Sequence, residues 1–178
     1  YNFKDKKIIL LPLVARLSTI TNNAYKIILD ILYDNLKNDD DYIILIRPHP
    51  GDRLTQEYLQ QLYPAKNFIA SKASLIVDIL SSNLIITMMG STVSTEAVIF
   101  EKPILLVNLS SDINEIDVVS SEMLKKKVAH LTSLDKLIFK LKQITETFNE
   151  SNIQNRQDFL IDFFNLGKEL DLKKLIYR

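Results

Sequence analysis

Four short, almost unbroken apolar runs constrain this chain more than any other feature: residues 7–14 (KIILLPLV), 42–47 (YIILIR), 84–89 (LIITMM) and 103–109 (PILLVNL). Each is too short to span a bilayer and too continuously apolar for a sheet with one wet face, so each reads as a strand buried on both sides. Pro12 removes a ladder donor, which predicts an end or a bulge in the first run. Two shorter runs, 67–70 and 128–131, complete a set of about six strands.

The segments between these runs carry helical spacing. Ala24, Ile27, Ile28, Ile31, Leu32 and Leu36 form one stripe over residues 22–36. Shorter helices are predicted over 55–62 and 74–80, the latter with Leu75, Ile76, Ile79 and Leu80 inward, and from the turn at Gly90 to Glu101. Residues 110–121 form a polar, acidic connection of no predicted form, long enough for a lid or a contact with another domain. From Ser133 the pattern is helical: Leu134, Leu137, Ile138, Leu141, Ile144 and Phe148 make one stripe, Ile153, Leu160, Ile161 and Phe164 a second, and Gly167 separates a final helix ending near Tyr177.

Strands alternating with helices predict an α/β fold, a doubly wound, mostly parallel sheet with C-terminal helices. With strand order 3-2-1-4-5-6 the winding reverses between the first and fourth strands, and ligands bind there, beyond the carboxyl ends. The turns at 16–19, 47–52 and 90–96 would then converge on one crevice.

Composition narrows the chemistry. The 178 residues suit one domain, and 22 basic against 22 acidic residues give no electrostatic case for nucleic acid. With no cysteine, disulfides and thiolate metal sites are excluded, and two histidines without metal-ligand spacing argue against a structural zinc site. No run is long enough for a transmembrane segment and no signal-peptide layout is present, so the chain reads as soluble. It begins at Tyr1 and reads as a piece excised from a longer polypeptide. Neither G-x-G-x-x-G nor G-x-x-x-x-G-K-[ST] occurs, which argues against a dinucleotide-binding dehydrogenase and a P-loop nucleotidase.

Two turns carry candidate chemistry. Met88-Met89-Gly90-Ser91-Thr92-Val93-Ser94-Thr95-Glu96-Ala97 runs from a strand through a hydroxyl-rich turn into a helix, the arrangement that holds a phosphate on backbone N–H groups and hydroxyls. Ser and Thr also begin helices that bind nothing. Gly90, Ser91, Thr92, Ser94 and Thr95 are the phosphate candidates, and Glu96 can either accept a ribose diol or complement the helix dipole. Arg47-Pro48-His49-Pro50 frames an imidazole between prolines, where His49 can donate to a phosphate or simply pack in a rigid turn. Arg47 can grip a phosphate bidentately or pair with Asp52 or Asp78. Arg16 and Ser18, in the first turn, are candidates for the phosphate or acceptor side. His130 reads as structural, and Lys125 to Lys127 as a solvated helix end.

The R-P-H-P turn, the G-S-T-x-x-x-E-A turn and Glu101-Lys102-Pro103 before an apolar strand together resemble the C-terminal half of GT-B glycosyltransferases. The resemblance covers residues 7–109. It points towards capsule polysaccharide transferases, polysialyltransferase-like enzymes, CDP-glycerol glycerophosphotransferases and the UDP-N-acetylglucosamine 2-epimerase superfamily. It implies that His49 contacts or protonates the leaving nucleotide phosphate, that Ser91 and Thr92 hold that phosphate, that Glu96 binds the ribose, and that Ser71 to Ser74 lie on the base side. It also implies one nucleotide-sugar-binding domain over 1–178, with its α/β core at 1–132 and C-terminal helices at 133–178. The partners implied are a nucleotide sugar and an N-terminal acceptor-binding domain of the same polypeptide. No metal or other cofactor is implied in this domain. The implied setting is cell-surface polysaccharide biosynthesis, in the cytoplasm or peripheral at the inner face of the membrane.

Two features depart from these families. The epimerases usually carry Ser-Gly-Gly where Ser91-Thr92-Val93 stands here. The acidic motif expected to supply a general base in sialyltransferase-like enzymes belongs to an N-terminal domain that this chain does not contain. An epimerase-like isomerase and a non-catalytic nucleotide-binding module are the alternatives to a glycosyltransferase.

Overall fold

A computed structural model describes residues 3–13, 19–49, 55–109, 116–147 and 153–164. Their elements run β1 (Lys7–Pro12), α1 (Thr19–Leu36), β2 (Tyr42–Arg47), α2 (Gln56–Leu62), β3 (Phe68–Ala70), α3 (Leu75–Ser81), β4 (Leu84–Met88), α4 (Thr92–Ile99), β5 (Ile104–Asn108), α5 (Val118–Lys125), β6 (His130–Ser133), a 3-10 turn (Leu134–Lys136), α6 (Leu137–Thr147) and α7 (Ile153–Phe164). The six strands pair in the order β3-β2-β1-β4-β5-β6, and every pairing is parallel. The expected doubly wound α/β sheet is therefore present, and its direction of winding reverses between β1 and β4.

Period-2 alternation within apolar strands explains how one sheet fills two cores. Ile9, Leu11, Ile44 and Ile46 face a core closed by α1, α2 and α6. Ile8, Leu10, Ile43 and Leu45 face the other, closed by α3, α4, α5 and α7. Neither face of the central strands meets water, so their runs contain no polar alternation.

Strand β1 stops at Pro12, where the missing N–H ends the ladder; the Leu13 N–H still reaches the Arg47 carbonyl at 2.9 Å. Helix α1 begins at Thr19, ahead of the expected residue 22. Ile27 is 45% exposed and leaves the expected stripe, while Tyr25 and Leu29 are buried, so the inward face is turned by about one residue. The reading of α3 needs the larger correction. Ile76 and Leu80 are about half exposed, whereas Asp78 is fully buried beside Ile79. Strand β6 lies two residues later than expected, because Val128 and Ala129 are buried in the turn before it.

Part of the 110–121 connection is helical, with α5 starting at Val118 behind an Asp117 cap. The expected contribution of Phe148 and the final helix beyond Gly167 fall outside the described residues. Among the described residues no helix is long and apolar enough to cross a membrane.

Candidate functional site

The carboxyl ends of β2 and β4 flank β1, and each leads into one of the two candidate turns. Gly90 has φ +78°, in the left-handed region that side chains resist. An added Cβ would meet only the Asp117 carboxylate, at 3.8 Å, so the dihedral rather than crowding calls for glycine. The Gly90 N–H donates to Ser120 Oγ at 3.3 Å, which ties the turn to the start of α5. Asp117 Oδ1 accepts from the Ser120 N–H at 3.0 Å.

Helix α4 starts immediately after this turn. Ser91 stands at its N-cap, yet its side chain makes no capping bond. Its carbonyl accepts from the Ser94 N–H at 3.1 Å and also from the Ser94 hydroxyl. Ser94 is 1% exposed. Its hydroxyl points inward and fastens the helix start. Thr92 is exposed at the first position, and Thr95 and Glu96 are half-buried further along. The first N–H groups of any helix lack intrahelical acceptors, so this end carries partial positive charge.

The far end of α4 is braced. Arg156 Nη1, from α7, donates to the Glu101 carbonyl at 2.8 Å. Lys102 Nζ donates to the Leu80 carbonyl of α3 at 2.7 Å, and burial holds its ammonium below the usual lysine range. Glu101 sits at φ +55° and Pro103 leads into β5. Glu101-Lys102-Pro103 thus holds α4 in place from the end opposite Ser91.

On the other side of β1, Arg47 is the last residue of β2 and lies in register with Pro12. Of the alternatives open to it, the pair with Asp78 forms: Arg47 Nη1 donates to Asp78 Oδ2 at 2.8 Å and to the Ala73 carbonyl at 2.7 Å. Ser71 Oγ donates to the same Asp78 oxygen at 2.6 Å. The Ser71 N–H donates to the Ile46 carbonyl at 2.8 Å. Ser71 is buried and bound to Asp78. Ser74 is exposed and caps α3 by accepting from the Val77 N–H at 3.3 Å.

His49 follows through Pro48, and its side chain is half-buried. The fold brings Arg47, Ser71 and Asp78 into direct contact. It sets the His49 and Ser91 turns at the same end of the sheet, one strand to either side of β1. Arg16, Ser18 and Asp52 lie outside the described residues, so the third turn is not placed.

Asp78 is the residue that periodicity misses, because a carboxylate on a buried face breaks the apolar pattern that marks the face. Asp117 and Ser120 carried a usable signal, an acid followed three residues later by serine at a helix start. His130 is exposed at the start of edge strand β6. Lys125 and Lys126 pair with Glu122 and Asp162, each at 2.6 Å. No cluster of His, Cys, Asp or Glu that could hold a metal occurs among the described residues.

This architecture, a six-stranded parallel sheet with a 3-2-1-4-5-6 order, is a doubly wound, Rossmann-like fold of the kind that forms one half of GT-B proteins. Solved structures share it. The wall teichoic acid polymerase TagF aligns over 97% of this chain and 42% of its own, at 25% identity and a TM-score of 0.54. UDP-GlcNAc 2-epimerase from Neisseria meningitidis, bound to UDP-GlcNAc, aligns over 86% and 39%, at 15% identity and 0.57. The glycosyltransferase SnogD from Streptomyces nogalater aligns over 88% and 40%, at 14% identity and 0.62. The chain thus spans about two fifths of each. No family model and no curated protein matches it.

Proposed function

We propose that this chain is the nucleotide-sugar-binding half of a GT-B-like glycosyltransferase that builds a cell-surface polysaccharide. The observation that carries the reading is the Gly90-Ser91 turn, which opens α4 at the switch point with its capping hydroxyl not engaged in a cap. The diphosphate of the donor lies against that helix start. Ser91 Oγ and Thr92 donate to its oxygens, and the helix dipole offsets its charge. Glu96 accepts from the ribose hydroxyls. His49 lies beside the departing diphosphate and donates a proton or a hydrogen bond as the bond from the sugar carbon to the phosphate oxygen breaks. A second half of the enzyme supplies the acceptor and the base that activates it.

The TagF likeness extends over nearly the whole chain at higher identity than the epimerase likeness. Together with Ser91-Thr92-Val93 in place of Ser-Gly-Gly, this favours transfer over epimerisation. The epimerase-like isomerase stays the second reading because that enzyme shares the fold with its own nucleotide sugar bound.

Calorimetric titration with UDP and CDP tests the site. Ser91→Ala should weaken whichever diphosphate binds by about 3- to 10-fold, the value of one hydroxyl hydrogen bond. Glu96→Gln should reduce the preference for ribose over 2′-deoxyribose by about 10-fold or more, because a charged acceptor is lost. Unchanged affinity in Ser91→Ala would refute the phosphate position.

A further inference from the structure

We infer that Asp78 is a positioning residue: it holds Arg47 as a tie between the His49 turn and the β3–α3 loop, so that Arg47 acts on binding through the placement of these two loops and not as a phosphate ligand. The inference rests on the nucleotide reading above and specifies the second wall of that site.

The geometry forms a closed circuit. Arg47 ends β2, and its carbonyl accepts from the Leu13 N–H at 2.9 Å, which ties the residue to the end of β1. Its guanidinium crosses to the β3–α3 loop, donating through Nη1 to the Ala73 carbonyl and to Asp78 Oδ2. Asp78 reaches this point only because α3 turns it inward, to 0% exposure. Ser71 Oγ donates to the same carboxylate oxygen, and accepts from the Ala73 N–H at 3.2 Å. The Ser71 N–H returns the circuit to β2 at the Ile46 carbonyl. The β3–α3 loop is therefore fastened to the last two residues of β2, at Ser71 to Ile46 and at Ala73 to Arg47, with Asp78 holding the same arginine. Pro48 has a fixed φ, which narrows the paths the chain can take from the anchor at Arg47 to His49.

The carboxylate also screens the arginine. An Arg47 whose Nη1 already serves an aspartate and a carbonyl presents little net charge to an anion, which separates a tie from a phosphate clamp by the sign of a mutational effect. Asp78→Asn keeps the shape and removes one negative charge from the crevice wall. Coulomb's law alone then requires tighter binding of a diphosphate. A lost tie requires weaker binding, because the loops are no longer held at a fixed separation.

The test is a double-mutant cycle on the full 178-residue chain, with UDP and CDP titrated in parallel and thermal melts confirming that each variant is folded at the assay temperature. Asp78→Asn and Arg47→Gln should each weaken the diphosphate that binds by about tenfold, and the double variant should bind no more weakly than either single one. Ser71→Ala, which leaves both charges in place, should weaken it by about threefold. Tighter binding by Asp78→Asn would overturn the inference. Additive losses, or affinities unchanged by these substitutions, would overturn it as well. Absence of binding by the unaltered chain would overturn the nucleotide reading itself, and this inference with it.

Discussion

Replacing His49 with alanine is expected to lower turnover by about 10²- to 10⁴-fold in the polypeptide that carries both halves of the enzyme, the range over which a positioned proton donor contributes. Nucleotide affinity should change by less than about tenfold, since the diphosphate keeps the α4 start and its hydroxyls. The split follows from placement. His49 is on the β2 side of β1 and the Ser91 turn on the β4 side; in the proposed site the imidazole would serve the leaving group while the helix start serves binding. Charge on the departing phosphate oxygen grows as the bond to the sugar breaks, and a group that meets that charge acts mainly on kcat. Steady-state kinetics with nucleotide sugar and acceptor give both parameters. A loss confined to KM would assign His49 to ground-state binding and contradict the role proposed for it.

The largest stability effect is expected at Leu10. It is fully buried in the strand that occupies the middle of the sheet, and it packs with Ile8, Ile43, Leu45 and Ile85. Leu10→Ala should cost about 2–5 kcal/mol, the transfer free energy of the lost methyl groups plus the cavity they leave. For a chain of this size that corresponds to a fall in Tm of about 5–15 °C. Ile27→Ala serves as the control, because Ile27 keeps 45% of its surface in water and should change stability by less than about 1 kcal/mol. Thermal unfolding followed by circular dichroism distinguishes the two. A Leu10 variant as stable as the Ile27 variant would contradict a sheet covered on both faces.

The central strands were legible because a parallel sheet writes itself as continuous apolar runs; the expected bounds of β2 coincide with the observed strand. The alternation of elements pointed to a doubly wound sheet, and the observed strand order is the common one for that class. Helix faces were less legible. In α3 the apolar residues Ile76 and Leu80 face water and Asp78 faces the core, because the electrostatic demand of Arg47 at the end of β2 outweighs the hydrophobic preference of the helix. Serines were the least legible of all. Ser91, Ser94, Ser71 and Ser74 look alike in sequence, yet one stands at an N-cap without capping it, one fastens a turn, one binds a buried carboxylate and one caps a helix. A hydroxyl's task is set by the partner that the fold brings to it.

The central claim is that a nucleoside diphosphate lies across the switch point between β1 and β4. Backbone amide shifts recorded while UDP or CDP is titrated into the isotopically labelled chain test it most directly. The account predicts that the largest shifts fall at Gly90 to Val93, at His49 and at Lys72 to Ser74, all at the carboxyl ends of the strands. Residues at the opposite end, such as Asp39, Lys66 and Lys142, should not move. Shifts concentrated at that opposite end, or none at saturating nucleotide, would contradict it.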